Sequence, residues 1–205
     1  MSSNSLSSAP DDSAVRGASH THPAPVIPGQ PDMWVLVMIE ALTFSAYFVV
    51  YTVWYRFKPA MFLQSQAQLD LRLGVVNTLI MLTSSWSIAR CVGETRAGRH
   101  RAALTYLWIT AGAGVLFSVL KVNEWRTMAG QGFGFETNLF FSFYYFLTGM
   151  HLLHVLVGLI MLGVVFHQLT NPARRSRELV ETGATFWHMV DFLWVIIFTL
   201  LYVMR

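Results

Sequence analysis

Of the 205 residues, 54% are hydrophobic and 12% are charged, about half the charged fraction of an ordinary soluble domain. A single cysteine, Cys91, excludes an internal disulfide framework and any multi-cysteine metal or iron–sulfur site. The net charge of +3 comes from arginines in short segments between apolar runs. Such a pattern orients membrane proteins and is not a nucleic-acid patch, so no nucleic-acid partner is expected.

Residues 1–31 are rich in Ser, Ala and Pro, with His20 and His22 among Pro23, Pro25, Pro28 and Pro31. They hold too little apolar surface to pack and are expected to form a disordered tail. The remainder, 32–205, reads as one membrane domain. Its apolar stretches are continuous and about twenty residues long, which suits helices crossing a hydrocarbon core roughly 30 Å thick. Barrel strands would alternate instead. The first span is expected over about 33–55, anchored by Trp34 and by Trp54 and Tyr55, and stopped by Arg56, Lys58 and Pro59. A second follows over 73–92, and Arg90, Arg96, Arg99 and Arg101 gather at its exit. The third covers 102–122, where Ala111, Gly112, Ala113 and Gly114 suit close helix packing. A fourth, the longest, runs over 138–169, and the fifth over 184–204. The fold class is therefore an all-α integral membrane protein, a bundle of five transmembrane helices.

Lys and Arg counts set the orientation. The tail and the second and fourth loops hold eight (Arg16, Arg90, Arg96, Arg99, Arg101, Arg174, Arg175, Arg177) and the other side six (Arg56, Lys58, Arg72, Lys121, Arg126, Arg205). The positive-inside rule then places the N-terminus in the cytoplasm, the C-terminus outside and Cys91 near the cytoplasmic face.

Ionisable side chains inside a bilayer are costly and are functional candidates by default. Glu40 lies about seven residues into the first span; His151 and His154 are a turn apart in the fourth, as are His188 and Asp191 in the fifth. Asn77, Ser84 and Ser85 line the second span, and Lys121 and Glu124 close the third. By depth, Glu40, His188 and Asp191 share the cytoplasmic half with Ser84, Ser85 and His154, so a hydrogen-bonded cluster of Glu40, His188 and Asp191 is expected. Glu40, His188, Asp191 and His154 are the proton-handling candidates. His151, Glu124, Lys121, Asn77, Ser84 and Ser85 are candidates for structural polar or lipid contacts. Polar groups that only hold helices together form the competing reading. Histidines of the fourth and fifth spans as ligands of a haem b electron carrier form another. A proton-coupled transporter would need helices broken near mid-membrane, yet no proline interrupts a span. No catalytic residue and no metal site is expected.

Several of these stretches resemble one family. Phe186-Trp187-His188-Met189-Val190-Asp191-Phe192-Leu193-Trp194 is similar to the closing helix of subunit III of the haem-copper oxidases. Thr148-Gly149-Met150-His151-Leu152-Leu153-His154-Val155-Leu156-Val157-Gly158 resembles that family's paired-histidine helix, and Lys121-Val122-Asn123-Glu124-Trp125 and Glu40 match in order and spacing. The resemblance covers about 32–205, and the five spans correspond to helices III–VII of the family's seven-helix members. Asn77-Thr78, Thr83-Ser84-Ser85-Trp86 and the closing Phe-Trp-His-Met-Val-Asp most resemble the NorE-type branch associated with bacterial nitric oxide reductase. Subunit III proteins of five-helix quinol and cytochrome c oxidases come next. The resemblance implies an accessory subunit in the bacterial inner membrane that carries no redox centre and holds phospholipid. It would support assembly, stability and proton uptake in a catalytic subunit whose own centres are haem with copper or with non-haem iron. Glu40 stands where that family has its intramembrane carboxylate.

Overall fold

The computed structural model describes residues 31–171 and 176–204. The proposed tail as far as residue 30, with Arg16, His20 and His22, lies outside the described residues, as do Arg174, Arg175 and Arg205, while its last residue, Pro31, opens a helix. Six α-helices follow in order: α1 (Pro31–Phe57), α2 (Pro59–Gln66), α3 (Leu71–Arg96), α4 (His100–Gly130), α5 (Leu139–Thr170) and α6 (Arg177–Phe198), whose axis continues into a π-helical turn at Thr199–Val203. All but α2 are long and apolar enough to cross a membrane.

Each helix runs past the boundary that hydropathy alone sets. The third span was expected to end near residue 122, but α4 continues to Gly130 and contains Lys121 and Glu124 within its length. At 1.5 Å per residue the 32 residues of α5 reach roughly 48 Å, so its ends project beyond the hydrocarbon or the helix tilts. Local caps fix several starts. Asp70 Oδ1 accepts from the Arg72 and Leu73 amides at 2.9 and 3.4 Å, Asn138 Oδ1 from Phe141 N at 3.1 Å, and Ser176 Oγ from Leu179 N at 3.3 Å.

Helix α2 was not expected. Lys58-Pro59 does end α1, but Pro59 also stands at the first position of a new helix, where its missing N–H costs nothing. Gln66 at its end donates to Tyr51 OH at 3.2 Å and to Leu200 O at 3.1 Å, and Tyr51 OH donates to Leu200 O at 3.1 Å. These bonds tie α1, α2 and the π-helical turn together.

α6 is the centre of the bundle. Its most apolar stretch is 61% buried, against 6% for α1. α3 and α5 pack along α6, and α4 meets it at Gly114 and Phe117, while α1 lies outside, touching α6 and α2 and reaching α5 through a line of side chains. At the opposite end from the π turn, Arg96 Nε pairs with Glu181 Oε1 at 2.9 Å and so joins α3 to α6. Arg99 clasps Glu94 with both ends of its guanidinium, and Arg90 approaches the same carboxylate at 3.6 Å.

Close approach at the centre depends on two glycines. A Cβ on Gly114 would lie 2.7 Å from the Trp187 indole, and one on Gly158 would lie 2.9 Å from it. Absence of a side chain on α4 and on α5 therefore lets one large ring of α6 fill the space between them. Gly112, expected to share this role, has open space around it.

Candidate functional site

The buried polar residues fall into three groups. At one end, Lys121 and Glu124 share a face of α4 one turn apart and are enclosed by aromatic rings. Lys121 Nζ lies 3.2 Å from Glu124 Oε2, 2.7 Å from Tyr202 OH and 3.4 Å from Tyr144 OH. Tyr144 OH donates to Glu124 Oε1 at 2.8 Å, and Tyr202 OH donates to the same oxygen. Faces of Tyr144, Tyr202 and Trp194 lie 4.8–5.2 Å from the ammonium. The ion pair is thus neutral as a unit and hydrogen-bonded at both charges, which is the condition for keeping it in a low-dielectric interior. Tyr144 and Tyr202 did not stand out in the sequence. They lie 20 and 78 residues from Glu124, and nothing local marks them as its partners.

A second group joins α1 to α5. Glu40 Oε2 lies 3.2 Å from His154 Nε2, and His154 Nδ1 lies 2.7 Å from the Met150 carbonyl oxygen one turn earlier. A carbonyl can only accept, so Nδ1 carries a hydrogen. Nε2 is thus the ring nitrogen turned to the Glu40 carboxyl. Phe44 meets the His154 ring edge-on at 5.5 Å and closes the contact from the side.

This pairing corrects the expected cluster of Glu40 with His188 and Asp191. Depth along a helix carries no information about direction around it. Glu40, Phe44, Tyr47 and Tyr51 form one stripe of α1 that meets α5 at His154, Phe146 and Phe143. Val37, Ala41, Ser45 and Phe48 form the neighbouring stripe and face α6.

The third group lies between α3 and α6. Ser85 Oγ lies 2.8 Å from His188 Nδ1. Asp191 is 4% exposed, and neither carboxyl oxygen makes a hydrogen bond. Trp187 Nε1 donates to Ser84 Oγ at 2.8 Å and Trp194 Nε1 to Thr78 Oγ1 at 3.1 Å, so two indoles latch α6 onto α3. His151 and Asn77 are fully buried with no hydrogen-bond partner on any side-chain polar atom. The His151 ring packs against Phe117 and Trp194, at 5.5 and 5.2 Å. His151 and His154 thus serve different neighbours: one looks into the α4–α6 core, the other out to α1. Among the described residues no three His, Cys, Asp or Glu side chains converge as a metal-ligand set.

The family model for cytochrome c oxidase subunit III matches residues 19–205. The cytochrome c oxidase subunit 3 of Thermostichus vulcanus is 30% identical over 189 residues, covering 91% of this chain and 90% of its own length. Its counterpart in a Synechocystis species is 29% identical across 100% of this chain and 88% of its own. The cytochrome bo(3) ubiquinol oxidase subunit 3 of Pseudomonas aeruginosa is 27% identical over 83% of this chain and 82% of its own. The chain therefore belongs to the cytochrome c oxidase subunit III family. With five helices of spanning length, it is a multi-pass membrane protein.

Proposed function

We propose that this chain is the non-catalytic third subunit of a haem-copper-type respiratory complex, holding the catalytic subunit in its active assembly and assisting its proton uptake. The family match over nearly the whole chain carries this reading. It is supported by two interior pairs of ionisable groups, Lys121 with Glu124 and Glu40 with His154. The haem, with copper or with non-haem iron, belongs to the catalytic partner. Phospholipid covers the exposed apolar faces of α1.

Two finer assignments belong to this proposal. The NorE-like motifs at Asn77-Thr78, Thr83–Trp86 and Phe186–Asp191 favour a partner of the nitric oxide reductase type; the oxidase names of the relatives favour an oxygen-reducing one. Turnover of the co-purified complex with nitric oxide and with oxygen separates the two. The membrane is the bacterial inner membrane, with the N-terminus cytoplasmic and the C-terminus periplasmic. Cys91 is fully buried and cannot report on this, so it is replaced by alanine in the test. In that background Glu136→Cys should react with an impermeant thiol reagent in intact cells and Ala97→Cys only in inverted vesicles. The reverse pattern overturns the orientation.

Glu40 and His154 are the proton-handling pair in this reading, because a carboxyl and an imidazole meet at 3.2 Å at a partly exposed position. Glu40→Gln keeps the shape but removes the titratable proton. Glu40→Ala leaves His154 Nε2 unpartnered, which costs roughly 1–3 kcal/mol. In the co-purified complex, Glu40→Gln should assemble normally and lower turnover, and Glu40→Ala should also lower the yield of complex. Wild-type turnover of Glu40→Gln would leave the pair a structural tie between α1 and α5.

A further inference from the structure

A cleft of about 440 Å³ separates α1 from α6. Its walls are apolar and partly aromatic, with Trp34 and Phe48 on one side and Phe192 on the other, and the small residues Ala41 and Ser45 leave room between them. His188, half-buried, is the one ionisable side chain on this lining. Ser85 stands behind it at 2.8 Å from Nδ1, and Asp191 lies one turn further along α6, buried and without a hydrogen bond. Helix packing does not call for this arrangement, since the two indole–hydroxyl bonds already join α3 to α6.

We propose that this cleft binds the ring of a membrane-soluble quinol or quinone, held by His188, with the tail running out between α1 and α6 into the bilayer. A serine hydroxyl has a single hydrogen to give. When that hydrogen turns away from the ring, Nδ1 carries the imidazole proton and gives it to Ser85, which leaves Nε2 as an acceptor for a quinol hydroxyl. When Ser85 gives its hydrogen to Nδ1, the imidazole proton sits on Nε2 and donates to a quinone carbonyl. Ser85 and His188 can therefore present either polarity to the cleft, matching the two forms of one ligand. An acyl chain would use neither. The volume lies within the range of roughly 300–1,000 Å³ typical of small-molecule sites, and a mostly apolar lining with few polar groups is their usual chemistry. Access is lateral, because α1 is thinly packed against the rest of the bundle.

The test uses the full chain alone in phosphatidylcholine nanodiscs, so it does not depend on any catalytic partner. The probe is an azido-benzoquinone with a decyl tail, photolysed and mapped by peptide mass spectrometry. Label should saturate, yield to competition by decylubiquinone and decylubiquinol, and fall on segments 34–48 and 185–196. His188→Leu should weaken binding about tenfold, the loss expected for one hydrogen bond to a ring oxygen. Ala41→Trp, which fills the cleft without touching the Ser85–His188 bond, should abolish labelling; Ser45→Leu serves if that variant does not fold. Melting temperature and monodispersity must stay unchanged in each. Labelling that survives both the His188 and the cleft-filling substitutions overturns the proposal. So does equal competition by a phosphatidylcholine carrying no ring, which would make the cleft an acyl-chain groove.

Discussion

Lys121→Met should be among the most damaging single substitutions in this chain, lowering stability by about 3–5 kcal/mol, the range for breaking a buried ion pair. Lys121 is fully buried, and its ammonium is the only cation within reach of Glu124 among the contacts of the described residues. Methionine fills the space but leaves the Glu124 carboxylate in an apolar interior with only the Tyr144 and Tyr202 hydroxyls. Restoring neutrality should reverse most of the loss. In Lys121→Met/Glu124→Gln the amide oxygen still accepts from the tyrosines and no unpaired charge remains, so stability should return to within about 1–2 kcal/mol of wild type. Equilibrium unfolding in detergent, by SDS titration or a thermal scan, measures the four corners of this cycle. If the double variant is as unstable as the sum of the singles, the pair is not the coupled unit its geometry indicates.

The second large effect is expected at Trp187. Its indole is fully buried, is packed against the backbones of α4 and α5 at Gly114 and Gly158, and donates to Ser84 on α3. Trp187→Ala empties a place where α3, α4, α5 and α6 meet, and should cost about 3–5 kcal/mol. The same geometry predicts the sign of a coupling. Gly114→Ala should destabilise the wild type by about 1–3 kcal/mol through overpacking, and much less in a Trp187→Phe background, where the clashing outer ring is gone. Equal effects of Gly114→Ala in both backgrounds would contradict the contact. Gly112→Ala, with open space around it, is the internal control.

Much of the fold is legible in the sequence because the signal behind it is local. Five long apolar runs predict five spanning helices, and the arginines mark the segments between them. What is lost is of two kinds. Helix ends are set by caps and by pairings far away in sequence: α4 continues through Lys121 and Glu124 because Tyr144 and Tyr202 complete their hydrogen bonds, whereas hydropathy reads those charges as a stop. Direction around a helix is the other. Glu40 and His188 were placed in the same layer, but α1 turns Glu40 towards His154 and presents Ala41 and Ser45 to the cleft that His188 lines. The two stripes, 40-44-47-51 and 37-41-45-48, are present in the sequence at helical spacing; which of them faces which neighbour is decided only by packing. Pro59 likewise carried two signals, the end of one helix and the start of another, and its first-turn preference marks α2.

Co-purification decides the central claim, that this chain serves a redox enzyme without carrying a redox centre itself. Tagged at its C-terminus and extracted from its own membranes in mild detergent, it should bring down a haem-bearing catalytic subunit in fixed stoichiometry, with a Soret band in the complex. The same chain expressed alone and purified should show no Soret band and no stoichiometric copper or iron. One haem per chain in the isolated protein, lost in His154→Ala, would contradict the account and make the chain an electron carrier.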